Sequence, residues 1–219
     1  MSELTLPIFP LGNVVLFPDA AVPLHLFEPR YRQMMADALQ GERRIGMATV
    51  RPDHVHEMAG DPPLYPIGCA GIIERHEELA DGRYQLVLRG ASRFEWVEEV
   101  PRPAERLYRI ARVRLRGETE GDAEEATALR ERVIEHLEAV AERLGEGARR
   151  SFDAAELRAL SLRAFANGVA QSIALPPQEK QSLLEADSVE ERLRRLEGAL
   201  GFHLAAALHA APDGAETVH

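Results

Sequence analysis

The strongest constraint on this chain is a change of hydrophobic period at residues 117–122, Gly-Glu-Thr-Glu-Gly-Asp. Before it, short segments rich in β-branched and aromatic residues stand between Pro, Gly and Asp clusters: 45–50, 67–73, 84–88, 94–100 and 107–115. In the last of these Ala111, Val113 and Leu115 alternate with Arg112, Arg114 and Arg116, the pattern of a strand with one buried and one wet face. Asp81-Gly82 lies between two of the segments and suits a hairpin turn, because Gly accepts positive φ. Strands this closely spaced predict a small barrel or curled sheet.

Beyond residue 122 the apolar spacing becomes helical. Leu129, Val133, Leu137, Val140 and Leu144 fall on one stripe. After a Gly-containing link, Asp153 with Glu156 forms a capping box that predicts a helix over roughly 154–174, ended by Pro176-Pro177. A helical turn is expected over 178–185, and Ser188 with Glu191 opens a last helix carrying Val189, Leu193, Leu196, Leu200 and Leu204. Strands first and helices second predict an α+β chain. The expected division is a β-rich subdomain over 1–117, a helical subdomain over 123–209 and a flexible tail over 210–219.

Most catalytic classes find no residues to use. The only lysine, Lys180, follows Glu179, so no phosphate-binding GK[ST] loop exists, and Ser92 lacks the second glycine of a nucleophile elbow. His56-Glu57 and His76-Glu77 each begin like a zincin motif, but Gly60 and Ala80 stand where the second histidine belongs. His54 and His56, with Asp53 or Glu57, leave one enzymatic alternative, a metal-assisted hydrolase. Against it stands the reading of these as solvent-facing side chains in the Pro-rich stretch 51–66. The lone cysteine, Cys69, sits in an apolar run and reads as a small buried residue. No cofactor and no catalytic residue is expected.

The formal charge is -10, from 36 acids against 26 bases, which argues against a nucleic-acid groove. The opening MSELTLPIFPLGN has no basic leader, and no apolar run approaches the roughly 20 residues that span a bilayer. A cytoplasmic protein without a membrane segment is expected.

Three motifs, in order, resemble one family. LPIFPLGNVVLFPDAAVPLHLFEPRYRQMM (6–35) is similar to the opening signature of the Lon protease N-terminal domain family. IGCAGIIERHEELADGRYQLVLRGASRFEW (67–96) is similar to that family's IG strand, DG turn and RF segment. LRAFANGVAQSIALPPQEKQSLLEADSVEERLRRLEGAL (162–200) is similar to its helical part.

The resemblance implies a six-stranded PUA-like pseudo-barrel with one helix, followed by a C-terminal helical bundle. It also implies a stand-alone substrate-recognition domain without the ATPase and protease domains. On this reading the chain is not an enzyme. It binds unfolded or client proteins and peptides, and works with a separate protease or as a chaperone. An RNA-binding PUA-like module is the other alternative, disfavoured by the charge. Within the family-like opening, Pro29 reads as the first residue of a helix, Glu28 as a favourable charge at its start, and Glu28–Arg32 as a helical pair. Tyr31, Met34, Met35, Ala38 and Leu39 give this helix an apolar side that covers the barrel. Phe17, Met34 and Met35 are the candidate protein-binding residues, because Met adapts to varied partners, against the favoured reading of all three as core.

Overall fold

A computed structural model describes residues 3–209. The N-terminal part contains β1 (Glu3–Leu11), β2 (Ala21–Leu26), α1 (Pro29–Gln40), β3 (Arg44–Thr49), β4 (Ile67–Glu78), β5 (Tyr84–Glu99) and β6 (Arg109–Arg116). A short 3-10 helix, Pro52–Glu57, lies between β3 and β4. The six strands form one sheet in the order β2-β5-β4-β3-β1-β6, closed by a further β5–β6 pairing. All pairings are antiparallel except β1 with β3.

Closure depends on β5. The segments 84–88 and 94–100, expected as separate strands, are one 16-residue strand. Its first half pairs with β2 and β4, its second with β4 and β6. Gly90 lies where the halves meet: a β-carbon there would fall 2.1 Å from the carbonyl oxygen of Phe17, so only glycine lets the chain before β2 approach. The Asp81-Gly82 turn joins β4 to β5 as expected, with Gly82 at φ 76. The Asp81 side chain takes the Arg83 N–H at 3.1 Å, and that bond holds its carboxyl below the usual range.

Helix α1 starts with Pro29 at its first turn, where the missing N–H costs nothing. Tyr31, Met34, Met35 and Ala38 follow at spacings of three, one and three, so they form a single stripe, and all are buried. The stripe belongs to a core with Phe9, Leu16, Val22, Leu26, Ile45, Ile73 and Leu88. A second cluster, built on Leu6, Ile8, Phe94 and Val113, uses the alternate residues of β1.

After β6 come α2 (Ala123–Leu144), α3 (Glu146–Ser151), α4 (Ala154–Ala159), α5 (Leu162–Ser172), α6 (Pro177–Glu185) and α7 (Val189–His209). The single helix expected over 154–174 is broken. Leu160 is extended at ψ 150, and the Arg130 guanidinium reaches the carbonyls of Arg158 at 3.3 Å and Leu160 at 3.5 Å. Both predicted caps are present: Asp153 accepts the N–H groups of Ala155 and Glu156, and Ser188 accepts that of Glu191. The expected tail over 210–219 lies outside the described residues. Among the described residues no helix is long and apolar enough to cross a membrane.

The compact units do not follow the boundary expected at 117–123. One contains the residues up to Glu118 together with Asn167–Glu185. The other contains Thr119–Ala166 and the residues from Ala186 on. Within the first unit, Gln171 accepts the Phe17 N–H at 3.1 Å and donates to the Val15 carbonyl at 3.2 Å. Gln181 donates to the Ile67 carbonyl at 2.9 Å, and Arg93 to that of Leu184 at 2.9 Å. These bonds tie α6 and the end of α5 to the barrel. Lys180 donates to the Gln171 carbonyl at 2.8 Å, and burial lowers its pKa. In the second unit, α2 and α7 run parallel: Thr119 and Ser188 form a parallel bridge, and Glu190 accepts the Asp122 N–H at 2.8 Å.

Candidate functional site

The polar residues at the start of α1 serve structure. Glu28 is the N-cap residue without a side-chain cap bond, and its carboxylate pairs with Arg30 at 2.9 Å in place of the expected Arg32. Arg30 also donates to the carbonyls of Met58 and Gly60, which fixes the loop after β3. Arg102 with Asp61, and Arg109 with the Pro62 carbonyl and Glu99, hold the rest of that loop.

Phe17, Met34 and Met35, expected at a binding surface, are each 0% exposed. That expectation is corrected. The two methionines belong to the apolar stripe that seats α1 on the barrel, and Phe17 lies in the tight turn before β2, its carbonyl pressed on Gly90. None of them can touch a partner in this conformation.

The candidate hydrolase site fares no better. His54 Nδ1 lies 3.0 Å from Glu57 Oε1 and His56 Nε2 lies 3.4 Å from the same oxygen, all on the exposed 3-10 helix. Among the described residues no group of three or more His, Cys, Asp or Glu side chains is arranged to hold a metal ion. Cys69 is fully buried, as its apolar run predicts.

What the barrel does offer is an uncovered face on β2, β5 and β4. Among the described residues strand β2 is paired with β5 alone, whereas every other strand has partners on two sides. Its residues alternate: Val22 and Leu26 are buried, while Ala21, Pro23 and His25 are exposed. Phe27 continues the outward series just past the strand and is 60% exposed, with the His25 ring edge-on at 6.1 Å. Residues 23–25 of β2, 85–87 of β5 and 75–77 of β4 line an open groove of about 560 Å³. A register shift between Ile73 and Arg75 inserts Glu74, which pairs with Arg89 at 3.1 Å and leaves Arg75 and Glu77 at the groove. Apolar floor, histidines and one charge of each sign suit docking of a chain segment and provide no nucleophile–base pair. Sequence reasoning missed Phe27, yet the signal was present: period-two alternation from Val22 places position 27 outward.

The comparisons with known proteins agree with this architecture. A family model described as the ATP-dependent protease La (LON) substrate-binding domain matches residues 5–200. Lon protease 2 of Herpetosiphon aurantiacus is 32% identical over 198 residues, covering 89% of this chain and 23% of that protein. The Lon protease of Anaeromyxobacter dehalogenans is 29% identical over 197 residues, covering 86% and 22%. The chain thus spans less than a quarter of the length of these relatives. Among structures, the N-terminal domain of Mycobacterium avium complex Lon protease superposes with a TM-score of 0.71 at 21% identity, covering 91% of this chain and 100% of that one. The Lon N-terminal domain protein from Xanthomonas campestris gives 0.60 at 25% identity, covering 91% and 98%. With that family model matching residues 5–200, the chain belongs to the ATP-dependent protease La (LON) substrate-binding domain family.

Proposed function

We propose that this chain is a non-catalytic polypeptide-binding module that holds unfolded or client proteins for a proteolytic or chaperoning partner, and that clients dock on the uncovered face of β2, β5 and β4. Family membership supports protein substrates in general. The observation that carries the location is the exposed Phe27 beside the groove, at the strand with an unpaired side. An aromatic ring this exposed is a natural anchor for an apolar segment, and the groove alongside offers polar groups to orient it.

Fluorescence anisotropy with a labelled, reduced and carboxymethylated protein as a permanently unfolded client tests the reading. Removing the apolar contact of one Phe is worth about 1.5–3 kcal/mol, so Phe27→Asp weakens binding by roughly tenfold to a hundredfold while circular dichroism stays unchanged. Absence of binding by the natural chain overturns the function; equal binding by Phe27→Asp overturns the site alone.

A further inference from the structure

The unpaired side of β2 specifies the form in which a client binds. In the antiparallel β2–β5 ladder, hydrogen-bonded pairs alternate with non-bonded ones. Gly90 donates its N–H to the Ala20 carbonyl at 2.8 Å and accepts that of Asp19 at 2.9 Å, so the ladder bonds run on through Val22–Leu88, Leu24–Leu86 and Leu26–Tyr84. The other side of β5 agrees. Ile73 turns its N–H to the Arg43 carbonyl at 2.9 Å, away from β5, which leaves Ile72–Arg89 as the bonded pair there. Ala21, Pro23 and His25 therefore aim their main-chain groups away from β5. These groups are the three carbonyls and the N–H groups of Ala21 and His25, since Pro23 has none. Among the described residues no strand or loop bonds any of them.

Two features fit this edge to an added strand. Pro23 stands at an outward position, where proline costs the sheet no ladder bond and blunts indiscriminate edge-to-edge pairing. Leu24 shares the inward face of Val22 and Leu26, yet it is only partly buried where those two are buried, which leaves apolar surface at the edge itself.

We propose, resting on the reading that clients meet this face, that an unfolded segment adds to β2 as a further strand of the sheet. The main-chain groups of Ala21, Pro23 and His25 hold it, with an apolar side chain laid beside Leu24. Main-chain bonding makes the recognition largely independent of sequence, and the pleat favours segments apolar at every second residue. A second copy of β2 is disfavoured as the occupant. In a twofold antiparallel pairing both Pro23 residues withhold a donor, and two chains of net charge -10 repel.

Anisotropy with the labelled, reduced and carboxymethylated protein tests this through Pro23→Ala. The substitution restores the missing N–H, so binding tightens by about twofold to tenfold, the worth of one hydrogen bond. If clients used the side chains of the groove alone, loss of the Pro23 ring would weaken binding instead. A short peptide alternating Val and Thr serves as competitor, N-methylated either at every Val or at every Thr. One form competes like the parent and the other at least about tenfold worse, since only one set of amides faces β2. Unchanged or weaker client binding by Pro23→Ala, a peptide that does not compete, or methylated forms that compete alike overturns strand addition and leaves client docking standing. A Pro23→Ala chain that dimerises in sedimentation velocity with client binding unchanged also overturns it, in favour of a second copy. No client binding by the natural chain overturns the reading beneath it, and this proposal with it.

Discussion

Arg93→Met is expected to cause a large loss of stability in the barrel unit. The Arg93 side chain is 1% exposed and lies 3.3 Å from Glu118, itself 6% exposed. Its guanidinium also donates to the carbonyls of Leu184 at 2.9 Å and Gly117 at 3.4 Å. Removing the cation takes the Arg93 charge away from a buried carboxylate, which costs about 3–5 kcal/mol. For a chain of this size that corresponds to a fall in Tm of roughly 6–20 °C. Replacing both charges, in Arg93→Met with Glu118→Leu, removes the anion as well. The carbonyl hydrogen bonds of Arg93 are still lost, at about 1–2 kcal/mol. Trp96, the only tryptophan, lies on β5, so urea unfolding followed by its fluorescence reports on this unit. If the single variant loses less than about 1 kcal/mol, the buried pair does not have the role given to it here.

Two further outcomes follow from buried groups. Burial pushes the phenols of Tyr31 and Tyr108 up to about 12, and Tyr108 also donates to Asp37 at 2.6 Å. Since the unfolded phenol titrates near 10, the stability these neutral groups supply is whole below pH 10 and is lost as pH rises from 10 through 12, by about 2 kcal/mol each. Urea midpoints measured across that range should fall less steeply in Tyr31→Phe and Tyr108→Phe. Gln171→Ala removes an acceptor from the Phe17 N–H and a donor from the Val15 carbonyl, at a cost of about 1–3 kcal/mol, and hydrogen exchange at the Phe17 amide should accelerate most.

Much of this fold is legible from local pattern. Alternation over 107–115 found β6, the Asp81-Gly82 pair found the hairpin, and Pro29 with the stripe Tyr31, Met34, Met35 and Ala38 found α1. What local pattern could not show depends on distant contacts. The residues Arg89–Arg93 look like a break, yet they run on as strand because β4, β2 and β6 pair along the whole of β5. The chain around Leu160 looks helical, and the break is capped by Arg130, 30 residues earlier. The segment 167–185 reads as part of a helical subdomain, while Gln171, Gln181 and the Leu184 carbonyl bond it to the barrel. Phe17, Met34 and Met35 show the same limit from another side. Their residue types suit both a core and a binding surface, and only the seating of α1 and the Gly90 contact decide for the core. Phe27 is the opposite case, since its outward parity was written in β2.

The central claim is that clients meet the face of β2, β5 and β4, and site-specific photo-cross-linking tests it most directly. A benzophenone side chain placed at Phe27 should capture an unfolded client, while the same group at Leu107, an apolar position 50% exposed, should capture little. Equal capture at both positions, or capture at Leu107 alone, would contradict the account.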